Sequence, residues 1–300
     1  MARASLAFGI IAAVVLLLWT ETPVRAQGAV TYVAGSGADT VGCGSQAGPC
    51  ATLSAAVAKT DPAGVVKCLA GGFGINNPGT TIDKPITIDC GGNPGLRWGN
   101  GSSAIIVDIN EASFPDAVVI LRGITFVGFL GHASLTPGLD GIRFVGGGAQ
   151  LHVEDCRIFD FAEQGIDFRP TSSVDLFVSD TIVSNNAGGG VLIRPAADTV
   201  VRASLRNVQL NGNGRHGLAV AKPSGNATVA ALDTVQASRN AASGLRANGE
   251  SAIIVVGAST ITYNGTGLSA INGGKIRSFG NNEIAFNGVN GIPTSTIPLK

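Results

Sequence analysis

Apolar residues alternate with polar ones over short runs, as in Leu151 and Val153, Ile166 and Phe168, or Val191 and Ile193. That period of two predicts half-buried strands, and the Gly, Asn and Asp between the runs predict turns. The runs recur as a longer unit. A Gly followed by an aliphatic residue stands at Gly141, Gly165, Gly190, Gly217, Gly244, Gly267 and Gly291, at spacings of 23 to 27 residues. Four residues before the Gly comes Asn186, Asn213, Asn240 or Asn287, with Asn264 three before in the shortest unit. An apolar residue stands further back (Ile158, Val183, Leu210, Ala237, Ile261, Ile284), and Asp155, Asp180, Asn207 and Thr234 fall in register three residues upstream of the first four. One such unit cannot bury its own apolar face, so stability must come from stacking copies. A helical solenoid is excluded by the period of two, and a leucine-rich repeat by the missing L-x-x-L-x-L signature. The pattern predicts an all-β parallel β-helix of a single chain.

Within the unit, the Gly is expected to supply a backbone angle that the turn requires, and the Asn to accept left-handed geometry and bond from coil to coil. Residues 85–291 carry the repeat coils, with Pro85–Ile88 and Val119–Phe126 as early ones. The Gly128–Asp140 stretch is longer than its counterparts by roughly eight residues and reads as a loop on one side of the solenoid. Within residues 27–84, Thr52–Lys59 reads as a short helix capped by Thr52, with Leu53, Ala56 and Val57 on one face. Laid across the first coil, it would close an open core. The tail 292–300 has two prolines and no repeat, and is expected to cover the other end.

Residues 1–26 read as a signal peptide: Arg3, the apolar run Leu6–Trp19, then Val24-Arg25-Ala26 as a cleavage site before Gln27. The apolar run is shorter than the ~20 residues of a membrane span, so stable insertion after cleavage is not expected and the mature domain is 27–300. The 20 basic and 20 acidic residues stay nearly balanced once Arg3, Arg25 and Glu21 are removed. Such a surface offers no footprint for nucleic acid. Five cysteines fit a secreted or periplasmic, oxidising address. Cys43 and Cys50 bracket a Gly-rich turn and are the best disulfide pair. Cys68 and Cys90 lie about one coil apart and could face each other on stacked strands. Cys156 is left over and reads as buried and inert. A four-cysteine zinc site lacks C-x₂-C spacing.

The segment Thr31-Tyr32-Val33-Ala34-Gly35-Ser36-Gly37-Ala38-Asp39, followed by Gly48-Pro49-Cys50-Ala51-Thr52-Leu53 and the Asn-to-Gly repeats, resembles the pectate-lyase-like superfamily of right-handed parallel β-helix proteins. The resemblance covers the whole mature chain. It implies the fold and export, and it admits lyases and hydrolases of acidic polysaccharides, epimerases, tailspikes, adhesins and proteins of no known activity. Fold alone does not choose among these.

Alternation places Arg143, Asp167, Leu192, Ala219, Arg246 and Ser269 in one outward column, and Val145, Arg169, Arg194, Ala221 and Asn248 in the next. Lys222 lies just past this face, and the long loop with His132 leads into the Arg143 strand. Arg143, Asp167, Arg169, Arg194 and Lys222 are therefore the candidate ligand-binding residues, a cationic cleft for a uronate-bearing polysaccharide walled by the loop. The alternative is a surface ladder of ion pairs that keeps the solenoid soluble. For catalysis Asp167, Arg169 and Arg143 are the candidates, but Arg is a poor base and Asp167 stands without the second carboxylate that glycoside hydrolysis requires. Gly214-Arg215-His216-Gly217 faintly resembles the G-H-G element of β-helix hydrolases, though an exposed turn histidine explains it more simply. No metal or cofactor is expected. The Asp155, Asp180, Asn207, Thr234 column is a turn ladder, Gly71–Asn76 is an isolated glimpse of a calcium repeat, and His132, His152 and His216 lie on different coils. Two functions remain: a non-catalytic, glycan-binding or envelope or matrix β-helix, or a polysaccharide lyase using the outward Arg/Asp face.

Overall fold

A computed structural model describes residues 28–69, 79–92 and 95–298. Residues 1–26, read from the sequence as a signal peptide, the Gly71–Asn76 motif and the last two residues lie outside them. Among the described residues the strands form three parallel sheets of 11, 8 and 8 members. One coil shows the order: Ala149–Glu154 in the first sheet, Arg157–Phe159 in the second, Ile166–Phe168 in the third, then Val174–Ser179 back in the first. Each strand pairs in register with its counterpart one coil on, as Ile166 does with Val191 and Asp167 with Leu192. This is a parallel β-helix.

The interior is a column of aliphatic residues from every coil, with Phe144 and Phe168 in contact at 4.6 Å and Trp98 stacked on Phe126 at 5.7 Å. The asparagines form a buried ladder between the second and third sheets. Asn186 Nδ2 donates to Asn213 Oδ1 at 3.1 Å, Asn213 to Asn240 at 3.0 Å, Asn240 to Asn264 at 2.9 Å and Asn264 to Asn287 at 2.9 Å. Each side-chain oxygen also accepts the backbone N–H of the Asn one coil back, so the ladder satisfies the turn's buried main chain. At the end Asn290 Oδ1 accepts from Asn287.

The structure corrects the expected role of the repeat glycine. Of the seven, only Gly291 has a positive φ. The others are small because the next coil presses on them: a Cβ on Gly190 would lie 2.5 Å from the Gly217 oxygen and 3.1 Å from Asn213 Nδ2. The left-handed angles belong to Asp155, Asp180, Asn207 and Thr234, and to the residue just before each ladder Asn, such as Asn185, Arg239, Tyr263 and Phe286.

The N-terminal helix is Leu53–Lys59. Thr52 caps it by accepting from the Ala55 N–H, and Leu53, Ala56 and Val57 are buried. The disulfides Cys43–Cys50 and Cys68–Cys90 are both present. Cys156 is free and buried, and burial pushes its thiol up to about 12, so no thiolate forms near neutral pH. The tail contributes Ser295–Thr296, which pairs with Lys275–Ser278 at the end of the first sheet. Among the described residues no helix is long and apolar enough to cross a membrane.

Candidate functional site

The outward column of the third sheet forms as the alternation predicts. Asp167 lies between Arg143 and Leu192, and Ala219, Arg246 and Ser269 follow on successive coils. Its centre is not the open cleft that the sequence suggests. Asp167 is fully buried. Arg169 Nε donates to its Oδ1 at 2.7 Å, while Oδ2 is buried with no hydrogen-bond partner.

A second carboxylate, which sequence reasoning missed, lies close enough to be felt. Asp140 closes the long loop and is buried. Ser103 Oγ donates to its Oδ2 and the Gln164 N–H to its Oδ1, both at 3.0 Å. Burial pushes the Asp140 carboxyl above its ordinary range. The Asp167 charge adds to that, while its hydrogen bonds and Arg143 oppose it. Its only signal in the sequence was its alignment, one coil back, with Gln164.

Lys222 is removed from the ligand-binding set. Its side chain is buried and its amine donates to the carbonyls of Ala196 and Ala197, which staples the turn beside Arg194. Burial lowers the amine's pKa, with Asp198 opposing. The long loop is held from both neighbouring coils: the Asn100 N–H donates to the Thr136 carbonyl and Gly99 bridges Pro137 on one side, and the Ala162 and Glu163 N–H groups donate to the Gly138 and Leu139 carbonyls on the other.

What stands open is a groove of about 180 Å³ two coils further on, lined by Gln164, Arg194, Arg215, His216, Arg246 and Asn248, with Leu192 and Ala219 in its floor. The third-sheet strand His216–Ala221 and its neighbour Ser243–Asn248 set His216 beside Ser243 and Ala219 beside Arg246. Arg246 Nη1 donates to His216 Nε2 at 3.3 Å, which leaves the other ring nitrogen, Nδ1, buried without a partner. Burial, then the charges of Arg246 and Arg215, lowers the His216 pKa to about 4, so the ring is neutral near neutral pH. The turn histidine is thus half-buried and part of the groove. Among the described residues, Arg143, Arg194, Arg215 and Arg246 have no carboxylate within ion-pair distance.

The first sheet's outer face is built differently. Four of its cations are matched across coils: Lys67 with Asp89 at 2.7 Å, Arg122 with Glu154 at 2.8 Å, Arg202 with Asp175 at 2.8 Å and Arg206 with Asp233 at 4.0 Å, while Lys275 and Arg277 on the strand Lys275–Ser278 have no carboxylate within ion-pair distance among the described residues. Between them runs a strip in which the His152 and Phe177 rings stack at 4.6 Å and Ser204 and Ala231 follow in register.

No family model and no curated protein matches this chain in sequence. A solved structure of the pectate lyase Pel9A matches it with a TM-score of 0.53, covering 83% of this chain and 74% of that one at 13% identity. The chain is therefore a parallel β-helix of the pectate-lyase-like fold. Identity this low carries the fold and leaves the chemistry to the site itself.

Proposed function

We propose that this protein is an exported β-helix that binds an acidic, uronate-bearing polysaccharide along its third-sheet face, without turning it over. The observation that carries the reading is the set of arginines without carboxylate partners, three of which ring one groove. Like charges gathered without counter-charges are costly to hold together and favour an anionic partner. Arg forks suit carboxylates, and coils spaced ~4.8 Å apart give a regular array for a polymer that carries charge at every unit. The Lys222 staple holds the flanking main chain in place, and the partly exposed Arg169 engages the buried Asp167. The paired cysteines belong to an oxidising compartment, in keeping with export.

The lyase reading has one observation in its favour, the neutral imidazole of His216 inside the groove. The same surroundings that keep it neutral make it a feeble base, since a group with a pKa near 4 has little drive to take a carbon-bound proton. Binding is therefore the better supported function.

Calorimetric titration with a soluble polyuronate and with a neutral glucan tests it, alongside ultraviolet detection of unsaturated uronate. Polyuronate is expected to bind and the glucan not. The double change Arg215→Ala and Arg246→Ala should weaken binding at least about tenfold, with a shallower salt dependence. Equal affinity for both polymers would overturn the anionic reading, and accumulation of unsaturated product would replace binding with catalysis.

A further inference from the structure

The groove on the third-sheet face owes its depth to small residues. Successive coils place Gly189 between Gln164 and His216, and Ala219 between Leu192 and Arg246. One residue past the pairing of Ile193 with Val220, Ala221 stands between Arg194 and Asn248. Gln164, His216, Arg194, Arg246 and Asn248 therefore surround a small-residue floor. Gly188 is required by packing, since a Cβ there would lie 2.3 Å from the Glu163 oxygen. Gly189 differs. Its φ is not positive, and the tightest contact of an added Cβ, at 2.7 Å, would be with Oε1 at the movable end of Gln164. What its missing side chain provides is room.

The backbone repeats at every coil along this face, but the free cations do not. One coil before Leu192, the buried Asp167 engages Arg169, and one coil after Arg246 and Asn248 stand Ser269 and Ile271. Arg143 lies four coils from Arg246, about 19 Å away at ~4.8 Å per coil, too far to share one sugar with it. What converges is Arg194, Arg215, Arg246 and His216 around a hollow of about 180 Å³. That is below the roughly 300 Å³ at which pockets for drug-sized ligands begin, and it suits one sugar ring. Guanidinium groups only donate hydrogen bonds. With Nε2 of His216 taken by Arg246, the neutral ring carries its proton on Nδ1, a donor with no acceptor. The group that matches such a set is acceptor-only and anionic, as a carboxylate is. At the rim Gln164 and Asn248 add uncharged amides. Asn248 Oδ1 accepts from Asn272 at 2.8 Å, which leaves its amide hydrogens for a hydroxyl oxygen.

We infer that this hollow is a subsite for a single uronate unit, with its carboxylate toward Arg215, Arg246 and His216 and its hydroxyls toward Gln164 and Asn248, and that it supplies most of the grip on the polymer. The inference rests on the acidic-polysaccharide reading and narrows it, because the polymer is held at one sugar instead of at every coil. Two consequences follow from the geometry. The free monosaccharide acid is itself a ligand, and filling the floor abolishes the grip without any change of charge.

Polygalacturonate and polymannuronate, each compared with its own monosaccharide, test it. Binding is followed through backbone amide resonances and through displacement of the labelled polymer. The monosaccharide acid of a polymer that binds is expected to bind with a Kd of about 1 mM, shifting Gly189, Arg215, His216 and Arg246 most, and to displace that polymer. Its methyl ester and the neutral hexose should bind at least about tenfold more weakly. Ala219→Leu fills the floor and Gly189→Val the corner. Each should weaken polymer and monosaccharide at least about tenfold with the thermal midpoint showing a folded protein, whereas Arg202→Ala on the first sheet should change neither affinity. A polymer that binds while its monosaccharide neither shifts these amides nor displaces it at about 50 mM overturns the inference and leaves the polysaccharide reading standing. Full polymer affinity in either folded variant does the same. Binding by neither polymer nor monosaccharide overturns both.

Discussion

The first-sheet and third-sheet faces share one backbone repeat, yet they handle charge in opposite ways. On the first sheet, four cations are paired with carboxylates on neighbouring coils, and only Lys275 and Arg277, on the strand Lys275–Ser278, are left without one among the described residues. On the third sheet, the carboxylates Asp140 and Asp167 are drawn beneath the surface and the arginines remain above it. Equal numbers of charges over the whole chain therefore produce one largely paired face and one cationic face. The period of the solenoid decides which residues become neighbours, but burial decides whether their charges reach a ligand.

The contrast is most exposed to test at the Asp167–Arg169 pair. Arg169→Ala leaves a fully buried carboxylate with neither oxygen partnered, and should cost about 3 kcal/mol in chemical denaturation. Arg202→Ala on the first sheet breaks a solvent-washed pair and should leave the midpoint within error. Equal losses from the two would erase the distinction between the faces.

The second test compares two aspartates with opposite shifts. The hydrogen bond from Lys67 holds the Asp89 carboxyl below its ordinary 3.8, so its stabilisation is present above that value and lost as pH falls through the lowered one. Burial raises Asp140, so its native state favours the proton. That advantage is present below 3.8 and lost as pH rises through the raised value. Relative to the unmodified protein, Asp140→Asn should gain stability between acid and neutral pH and Asp89→Asn should lose it, read from unfolding midpoints across pH. Difference curves sloping the same way would refute the assignment.

The smallest effect concerns His216. Nuclear magnetic resonance titration of its ring should give a pKa near 4, with the neutral ring's contribution to stability intact above the ordinary 6.5 and declining as pH falls toward 4. Polyuronate bound to Arg215 and Arg246 offsets their charge, and should raise the His216 pKa measurably. A pKa unmoved at saturation places the ligand elsewhere.

Several of these features are legible in the sequence. The strand positions, the Asn ladder, the capping helix with Thr52, both disulfides and the outward column all followed from a repeat in which each residue's neighbours lie one period away. The errors have a common source. The glycine was assigned to backbone angle when crowding by the next coil was the cause. Asp167 was read as exposed because alternation reports direction, not depth. Lys222 was read as available because a lysine beyond a strand normally reaches water. Asp140 went unnoticed because it closes an insertion, where the period no longer predicts neighbours.

The sequence by itself determined the parallel β-helix, since a period of two inside a period near 25 permits little else. It also determined which side chains share a face, because an in-register solenoid turns sequence spacing directly into spatial adjacency. Only the tertiary structure decided which of those side chains remain open to solvent. Exposure depends on side chains, turns and loops from other coils folding over a position, and those contacts are set by packing in three dimensions. For that reason the cationic face was visible in outline from the sequence, while its floor of buried carboxylates and the groove between Arg194 and Arg246 were not.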